Sequence, residues 1–384
     1  MKAKLLCALI AAVALLEACS GEHTAAVPAP DATSALDRTR GAVTRASNVT
    51  VLFSYDAQFA GTPTIVAARP DGKVYGTTSL TQSSSGTVFQ CTLAGACRTL
   101  VAFNFQTQGS PFAVPVFGTD GNLYGVTFNG GGTFYRLTLG GTLTILHDFN
   151  GTDGSFALDL SPFRDGNFYG VSDQGGDKGF GNVFRAKPDG TVTNLVSCAL
   201  TTCLHPQGLT VGRDGVIYGA AGGDSGFRND GFIFKLSSTF ALVKLASFNG
   251  TGAEEPGSLT QGTDRNFYGL ASGEGQVSPA FFRMTPAGKL TIVAVYPKLF
   301  TPFSGRLVLG PDGNFYGWQF GNINNNGRIF RITPAGVLTT VAAFDGADGI
   351  HPISLTLGRD GDLYASTENG GANGGGTFVR VTLP

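Results

Sequence analysis

Short runs of hydrophobic residues alternate with turn sequences along most of this chain. Between residues 155 and 198 there are four runs rich in β-branched and aromatic residues, with Asp165-Gly166 dividing the first two and Pro188-Asp189-Gly190 the last two. Glycine supplies a positive φ angle and aspartate tolerates the left-handed region, so both sequences predict tight turns between antiparallel strands. No segment beyond residue 18 keeps a helical period over a useful length. The pattern therefore predicts a four-stranded antiparallel meander.

The same pattern repeats along the chain. The sequence Asp-Gly-x-x-Tyr, or a one-residue variant of it, occurs seven times at intervals of 45 to 50 residues, with its tyrosine at Tyr75, Tyr124, Tyr169, Tyr218, Tyr268, Tyr316 and Tyr364. A period near 50 residues with four strands in each repeat is typical of a β-propeller blade. We therefore predict an all-β fold, a seven-bladed β-propeller of four-stranded antiparallel blades that spans residues 49–384.

The two ends of the chain predict how this propeller closes. The last repeat has three strand-like runs, and its fourth is missing before Pro384. The first run of the chain, Val49-Phe53, matches that fourth strand and has no preceding partners. We therefore expect the N-terminal strand to complete the last blade and leave no open edge. Six or eight blades would require a miscounted repeat, and a solenoid would need capping repeats, which are not visible.

The first 48 residues have a different composition. A basic start precedes an apolar stretch of about 12 residues, too short to span a bilayer, and Cys19 then follows in a sequence typical of a bacterial lipoprotein signal. We predict a signal peptide at 1–18, lipidation of Cys19 and a flexible tether at 19–48. The protein would be an exported outer-membrane or cell-surface lipoprotein. Ordinary secretory cleavage to a periplasmic or secreted protein is the alternative, because Glu17 is unusual at its position.

Composition narrows the range of partners. The chain carries 26 Lys and Arg against 27 Asp and Glu, and no basic run stands out. This balance argues against a nucleic-acid partner. We predict a monomeric propeller without a cofactor, attached to the membrane only through its N-terminal lipid.

Four cysteines lie within the predicted propeller, in two pairs that are close in sequence: Cys91 with Cys97, and Cys198 with Cys203. Four cysteines allow three pairings, and proximity favours these two disulfides, which suit an oxidising compartment. Metal binding is the competing interpretation, but it needs ligands that converge, and the two pairs lie two repeats apart. We therefore predict no metal site.

Some positions are the same in nearly every repeat, and we expect them to serve the blade. Glycine follows the tyrosine in six repeats and Ala365 in the last, and a glycine in a strand marks the close approach of another backbone or a ring. The third strand carries an aromatic residue and then Arg or Lys, with Val379 replacing one aromatic and Gln90 one basic residue. We expect the basic residue to pair with the aspartate of the turn. His147, at the exit of a fourth strand, is expected to be structural.

The turns between first and second strands and between third and fourth strands share one face of a propeller, here called the turn face; all other loops share the opposite loop face. The loop face varies between repeats, and variable loops on a rigid scaffold usually carry function. His205 and His351 each precede a proline at matching positions in these loops. The ligand-binding candidates are polar, charged and aromatic residues of the loop face: Trp318, Gln319, Asn322, Asn324, Asn325, Asp224, Arg228, Asp230, Glu254, Glu255 and His351.

Trp318 is the most conspicuous of these candidates, because most repeats carry a small or aliphatic residue in its place. An exposed ring beside several amides suits the face of a sugar or a peptide. The alternative is that the ring packs within its blade and the asparagines only form a left-handed turn.

The repeat resembles the GloVer tandem repeat of bacterial exported proteins. The resemblance lies in the sequences LHDFNGTDG at 146–154, DGNFYG at 165–170, and GG at 175–176 followed by GNVF at 181–184. It covers essentially all of residues 49–384. It implies surface display and a propeller, and it implies no catalytic residues, because the family has no settled activity.

Three functions remain open at this point. The first is a non-enzymatic binding or scaffold module for a glycan or an envelope protein, since no acid, base or nucleophile converge. The second is a propeller enzyme, a polysaccharide lyase or glycoside hydrolase that would draw on the acidic candidates and His351. The third is a subunit of an envelope assembly, which predicts an exposed apolar patch. No sequence typical of a nucleophile elbow, a zinc helix or a phosphate loop is present.

Overall fold

The computed structural model of the protein describes residues 48–55, 63–65, 72–78, 86–111, 113–128, 131–199, 203–222, 231–248, 255–271, 278–297, 306–321 and 326–383. Contacts between Cα atoms divide the chain into residues 1–43 and 44–384, and the described residues lie in the second unit. The predicted signal peptide, Cys19 and most of the tether lie outside the described residues. Within the described ranges, no helix is long and apolar enough to cross a membrane.

The described strands form seven blades, and the first strand of the chain, β1 (Val49–Ser54), belongs to the last of them. Blade 1 contains β2 (Pro63–Ile65), β3 (Lys73–Thr78), β4 (Thr87–Thr92) and β5 (Cys97–Ala102). A short helix, α1 (Phe105–Gln108), precedes blade 2, which contains β6 (Ser110–Pro111), β7 (Val116–Phe117), β8 (Leu123–Phe128), β9 (Thr133–Leu137) and β10 (Leu143–Asp148). Blade 3 contains β11 (Ser155–Pro162), β12 (Phe168–Gln174), β13 (Asn182–Ala186) and β14 (Val192–Ser197).

The remaining blades follow the same plan. Blade 4 contains β15 (Leu204–Val211), β16 (Ile217–Gly222), β17 (Phe232–Leu236) and β18 (Leu242–Ser247). Blade 5 contains β19 (Thr260–Gln261), β20 (Phe267–Ala271), β21 (Ala280–Met284) and β22 (Leu290–Val295), and blade 6 contains β23 (Val308–Leu309), β24 (Phe315–Gln319), β25 (Arg328–Ile332) and β26 (Leu338–Ala343). Blade 7 contains β27 (Ile350–Leu357), β28 (Leu363–Asn369), β29 (Thr377–Val381) and β1. The predicted seven-bladed fold is confirmed.

The N-terminal strand closes the last blade, as predicted. β1 pairs antiparallel with β29, with Val49 opposite Val381 and Ser54 opposite Thr377. The Ser54 hydroxyl also accepts a hydrogen bond of 2.9 Å from the backbone N–H of Ala372. The strand therefore supplies the missing edge by ladder hydrogen bonds, which is how a closed propeller removes an exposed strand.

Buried clusters of apolar residues join each blade to the next. In the cluster between blades 7 and 1, Tyr364 and Phe378 pack with Val74 and Phe89, and all four are at most 1% exposed. Equivalent clusters lie at the other six junctions. The hydrophobic stabilisation therefore runs around the whole ring and includes the junction that the chain ends share.

The first strand of each blade lies nearest the propeller axis. First strands of neighbouring blades contact one another, as β11 does with β15, β23 with β27, and β27 with β2. Side-chain hydrogen bonds tie them together: the Thr210 hydroxyl donates to the Leu259 carbonyl and the Thr260 hydroxyl to the Leu307 carbonyl, both at 2.6 Å. These strands line the central channel, and their loop-face ends surround its mouth.

The repeated aspartate of the turn holds the repeated tyrosine. In each of the six blades in which both residues are described, the tyrosine hydroxyl donates to the aspartate four residues earlier, over 2.6 to 2.9 Å. Burial, with Asp165 as a second cause, raises the pKa of Tyr169 to about 12, and the Arg185 guanidinium approaches the same hydroxyl. The expectation that the basic residue pairs directly with this aspartate was therefore wrong, because the tyrosine hydroxyl occupies the carboxylate.

The glycine after the tyrosine makes room for an aromatic ring of the third strand. A Cβ atom on Gly219 would lie 2.3 Å from the Phe234 ring, and one on Gly269 would lie 2.5 Å from the Phe282 ring. The predicted close approach is confirmed, and the neighbour is a ring. In blade 7, where Ala365 replaces glycine, its partner across the strands is Val379 rather than an aromatic residue.

Both predicted disulfides are present. Cys91 is bonded to Cys97 and Cys198 to Cys203. Cys91 and Cys97 are opposite each other in the β4–β5 ladder, so this bond spans a hairpin turn. All four cysteines are therefore used structurally, and none of them can act as a metal ligand while it is bonded.

Candidate functional site

Two register positions bring side chains to the channel mouth on the loop face. One lies thirteen residues before the repeated tyrosine, at the start of the innermost strand, and the other lies four residues after it, at the end of the second strand. What we call the inner rim consists of the charged, imidazole and aromatic residues described at these two positions: Phe128, Phe156, Asp173, His205, Glu255, Phe320, His351 and Glu368. Pro111 of blade 2 and Gly222 of blade 4 occupy the same positions without such a side chain.

The rim at the junction of blades 6 and 7 combines a ring pair with an acid and a base. The imidazole of His351 stacks on Phe320, with ring centroids 4.2 Å apart and ring planes 14° apart. Nδ1 of His351 lies 3.6 Å from Oε2 of Glu368, which is too long for a hydrogen bond. This Nδ1 is buried and has no hydrogen-bond partner among the described residues.

Burial shapes the protonation of this pair. It lowers the pKa of His351 and raises the pKa of Glu368, because it disfavours the charged form of each group. A neutral imidazole and a carboxyl group of raised pKa can each hydrogen-bond a hydroxyl.

The rim at the junctions around blade 3 has a related composition. Nδ1 of His205 lies 2.8 Å from Oδ1 of Asp173, and the two side chains are 40% and 14% exposed. On the other side of the blade, the rings of Phe128 and Phe156 lie 4.6 Å apart. Acid, imidazole and aromatic side chains thus recur at the same two register positions in different blades.

The rim is also where the backbone is strained. Six described residues other than glycine have positive φ angles, and four of them occupy the position thirteen residues before the tyrosine: Phe156, His205, Glu255 and His351, with φ from 44° to 59°. Left-handed backbone costs a residue with a Cβ roughly 1–2 kcal/mol and clusters at functional sites. Three of the four precede a proline, which further restricts the backbone.

The Gloeobacter/Verrucomicrobia repeat model matches residues 61–279, more than half of the chain. The chain belongs to this repeat family. The match confirms the resemblance to the GloVer repeat. No protein of curated function matches the chain in sequence.

Solved structures share the fold of this repeat protein at low sequence identity. A gluconolactonase from Xanthomonas campestris is 14% identical with a TM-score of 0.50, and the match covers 89% of this chain and 99% of that one. A PQQ-bound aldose sugar dehydrogenase from Streptomyces coelicolor is 16% identical with a TM-score of 0.49, covering 71% and 94% of the two chains. At this level of identity the likeness to the gluconolactonase shows the propeller fold alone.

The candidates predicted from the sequence of this repeat protein fall into three groups: on the inner rim, within β24, and outside the described residues. Glu255 and His351 lie on the inner rim. Trp318 is half-buried in β24 and packs against the core between blades 6 and 7, as the alternative interpretation expected. Gln319 is 7% exposed and accepts a hydrogen bond of 2.7 Å from Nε of Arg328. Seven other residues lie outside the described residues: Asp224, Arg228, Asp230, Glu254, Asn322, Asn324 and Asn325.

Five rim residues are not among the candidates predicted from the sequence: Phe128, Phe156, Asp173, Phe320 and Glu368. Their constant offset from the repeated tyrosine can be read from the sequence, but only the structure shows that this offset leads to the channel mouth.

Within the described residues, no three His, Cys, Asp or Glu side chains converge on a metal position. The large apolar residues exposed in this part of the chain are six valines spread over five blades, which gives the assembly hypothesis no patch.

Proposed function

We propose that this protein is an exported, lipid-anchored binding module of the cell envelope that holds a glycan at the inner rim. The observation that carries the proposal is the buried Nδ1 of His351, which has no hydrogen-bond partner among the described residues and lies beside Glu368 and the ring of Phe320.

The chemistry of this site suits a sugar. An aromatic face packs against the apolar C–H face of a sugar ring, and a small number of placed polar groups fix the ring's orientation. If the Glu368 side chain turns aside, a sugar hydroxyl can accept a hydrogen bond from Nδ1 of His351 and donate one to the carboxyl group of Glu368. The buried Nδ1 would then gain a partner, and leaving such a group unsatisfied costs about 1–3 kcal/mol.

The topology leaves the rim open when the N-terminus is anchored. The described chain enters at Asn48, at the start of β1, and Val49 pairs with Val381 at the turn-face end of β29. The rim lies on the opposite face. Attachment through a lipid on Cys19 therefore does not require the chain to pass over the ligand site.

The test is a glycan array probed with the protein and three variants. We expect Phe320→Ala and His351→Ala each to weaken binding about tenfold or more, since each removes a contact worth about 1.4 kcal/mol or more. His147→Ala is the matched control, because His147 is also half-buried beside a carboxylate, at 2.7 Å from Asp153, but lies on the outer strand β10. Silence of the wild-type protein, or equal loss in the control, contradicts the proposal.

A second function is favoured by the Asp173–His205 contact. A carboxylate that holds one imidazole nitrogen orients the ring, which is the arrangement of a general base. If the rim cleaves the glycan, incubation with the array ligand yields shorter products by mass spectrometry, and His205→Asn abolishes them. If the ligand is still intact after long incubation, the enzyme hypothesis is wrong and only the binding function remains.

A further inference from the structure

One register position near the central channel carries opposite charges in two blades. It lies ten residues before the repeated tyrosine, three residues further along the chain than the rim position, and in or within two residues of the innermost strand of each blade. It carries Asp159 in blade 3 and Arg306 in blade 6, and the other five blades carry apolar residues, glycine or serine. At no more than about 3.3 Å per residue, this position lies within about 10 Å of the rim.

Arg306 reaches across two neighbouring blades. Its Nη2 donates to the Leu209 carbonyl at 2.7 Å and to the Thr210 hydroxyl, and its Nε donates to the Leu259 carbonyl at 3.3 Å. All three acceptors are neutral. The guanidinium is therefore held in a fixed orientation without a partner that neutralises its charge.

No acidic partner is present for this guanidinium in the described part of the chain. No carboxylate oxygen of a described residue lies within 4.0 Å of it, and Nη1 makes no hydrogen bond to a described residue. Asp159 is engaged elsewhere, since its two oxygens accept the backbone N–H groups of Leu160 and Leu209, each at 2.9 Å. Arg306 is exposed, so a ligand can reach it, and the remaining N–H groups of a fixed guanidinium suit a carboxylate.

We propose that Arg306 is an anion site within the channel and that it binds the carboxylate of an acidic sugar, such as a uronic acid at the end of a glycan held by the inner rim. This inference rests on the proposed glycan function. A singly charged carboxylate fits better than a phosphate dianion, because Arg306 is the only cation at this register position and Asp159 occupies the same position in blade 3. A short oligosaccharide spans the distance from the rim to Arg306.

The test compares two trisaccharides that differ in one terminal group. Full-length mature protein is titrated calorimetrically with cellotriose, with the same trisaccharide ending in glucuronate, with free glucuronate and with inorganic phosphate. We expect the acidic trisaccharide to bind about 10- to 100-fold more tightly than the neutral one, as one charge-assisted hydrogen-bonded contact provides. The difference shrinks as NaCl is raised, because salt screens the contact.

Variants of Arg306 locate the effect. Arg306→Gln removes the preference for the acidic ligand and leaves the affinity for cellotriose within about threefold, whereas Arg306→Lys keeps the charge and retains part of the preference. Thermal melts confirm that each variant folds. If Arg306→Gln does not fold, the affinities of Arg306→Lys for the two trisaccharides decide whether Arg306 causes the preference. Equal affinities in the wild type, or a preference that survives Arg306→Gln, overturn the inference.

The remaining outcomes separate this inference from the proposed function. If cellotriose binds in a manner that depends on His351 but the acidic group adds nothing, the rim proposal stands and the channel site fails. If glucuronate alone binds through Arg306 and no glycan depends on the rim, the anion site stands and the rim proposal fails. If phosphate binds as tightly as glucuronate, the assignment to an acidic sugar is wrong. Absence of binding by every probe overturns both.

Discussion

Alanine at Gly219 should destabilise the propeller, and it should cease to do so once the ring of Phe234 is removed. Gly219 lies in β16 directly opposite Phe234 of β17. A Cβ atom on Gly219 would have three ring atoms of Phe234 as its nearest neighbours, at 2.3 to 2.9 Å. Carbon atoms at contact lie about 3.5–4.0 Å apart, so the ring or the strand must move by about 1 Å or more.

The magnitudes follow from burial. Phe234 is 0% exposed, so its ring has no room to move outward, and overpacking of this kind costs about 1–3 kcal/mol. Phe234→Val deletes a buried ring and should cost about 2–4 kcal/mol. In the double variant the new methyl group fills part of the vacated space. The double variant should therefore be no less stable than Phe234→Val alone, and the coupling energy between the two substitutions should be about 1–3 kcal/mol.

Blade 7 supplies the natural precedent for this double variant, because Ala365 lies opposite Val379 there. The assay is equilibrium urea unfolding followed by circular dichroism and fluorescence, and coincident transitions are required before free energies are compared. Gly140→Ala is the control, since its Cβ atom would meet nothing closer than the Thr138 hydroxyl at 3.7 Å. Costs that add within about 0.5 kcal/mol would refute the argument that the glycine exists to admit the ring.

Three further predictions concern charge and anchoring. Burial, with the neighbouring Asp345 as a further cause, raises the pKa of Asp348 to about 6. The stability that Asp348 contributes is therefore present at low pH and lost as the pH rises through about 6. Asp348→Asn should abolish this loss, which is measured by comparing urea unfolding midpoints at pH 5 and pH 7.5. Desolvation acts to raise the pKa of Asp165, but hydrogen bonds from the adjacent asparagine and tyrosine outweigh it and lower the pKa. The stability that Asp165 confers is therefore present above about pH 4 and lost below it. In the Asp165→Asn variant, the melting temperature should fall less steeply as the pH drops below about 4. Cys19→Ala should eliminate incorporation of labelled palmitate and move the protein to the aqueous phase of a Triton X-114 partition, whereas unchanged partitioning would favour ordinary secretory cleavage.

The fold could be predicted because its determinants are local and repeated. Asp165-Gly166 sets a turn by the conformations of two residues, and seven such turns at one period leave few architectures. The partner of the turn aspartate was predicted wrongly because it is determined by contacts between strands and not by the local sequence. Whether Asp165 meets Arg185 or the Tyr169 hydroxyl depends on the pairing of strands across the blade, where Tyr169 lies directly opposite Arg185.

The candidate site was only partly predictable, since it lies between blades. His351 was selected from its place before a proline, but its stacking partner Phe320 belongs to the preceding blade, and no local pattern joins them. Trp318 was selected because it is the single tryptophan of the chain, but this does not show whether its ring points into the core or towards a ligand. Arg306 has no sequence signal at all, because its meaning comes from the axis that seven innermost strands share.

The repetition within the chain gives the strongest argument that the rim is functional. The protein contains 57 glycines and places glycine at nearly all of its described left-handed positions. At one register position it instead keeps Phe156, His205, Glu255 and His351 in that conformation, in four different blades. Glycine would meet the needs of the blade at lower cost in backbone strain. Side chains retained against this cost, and different in kind from blade to blade, serve something outside the blade, and the channel mouth is the space that they share.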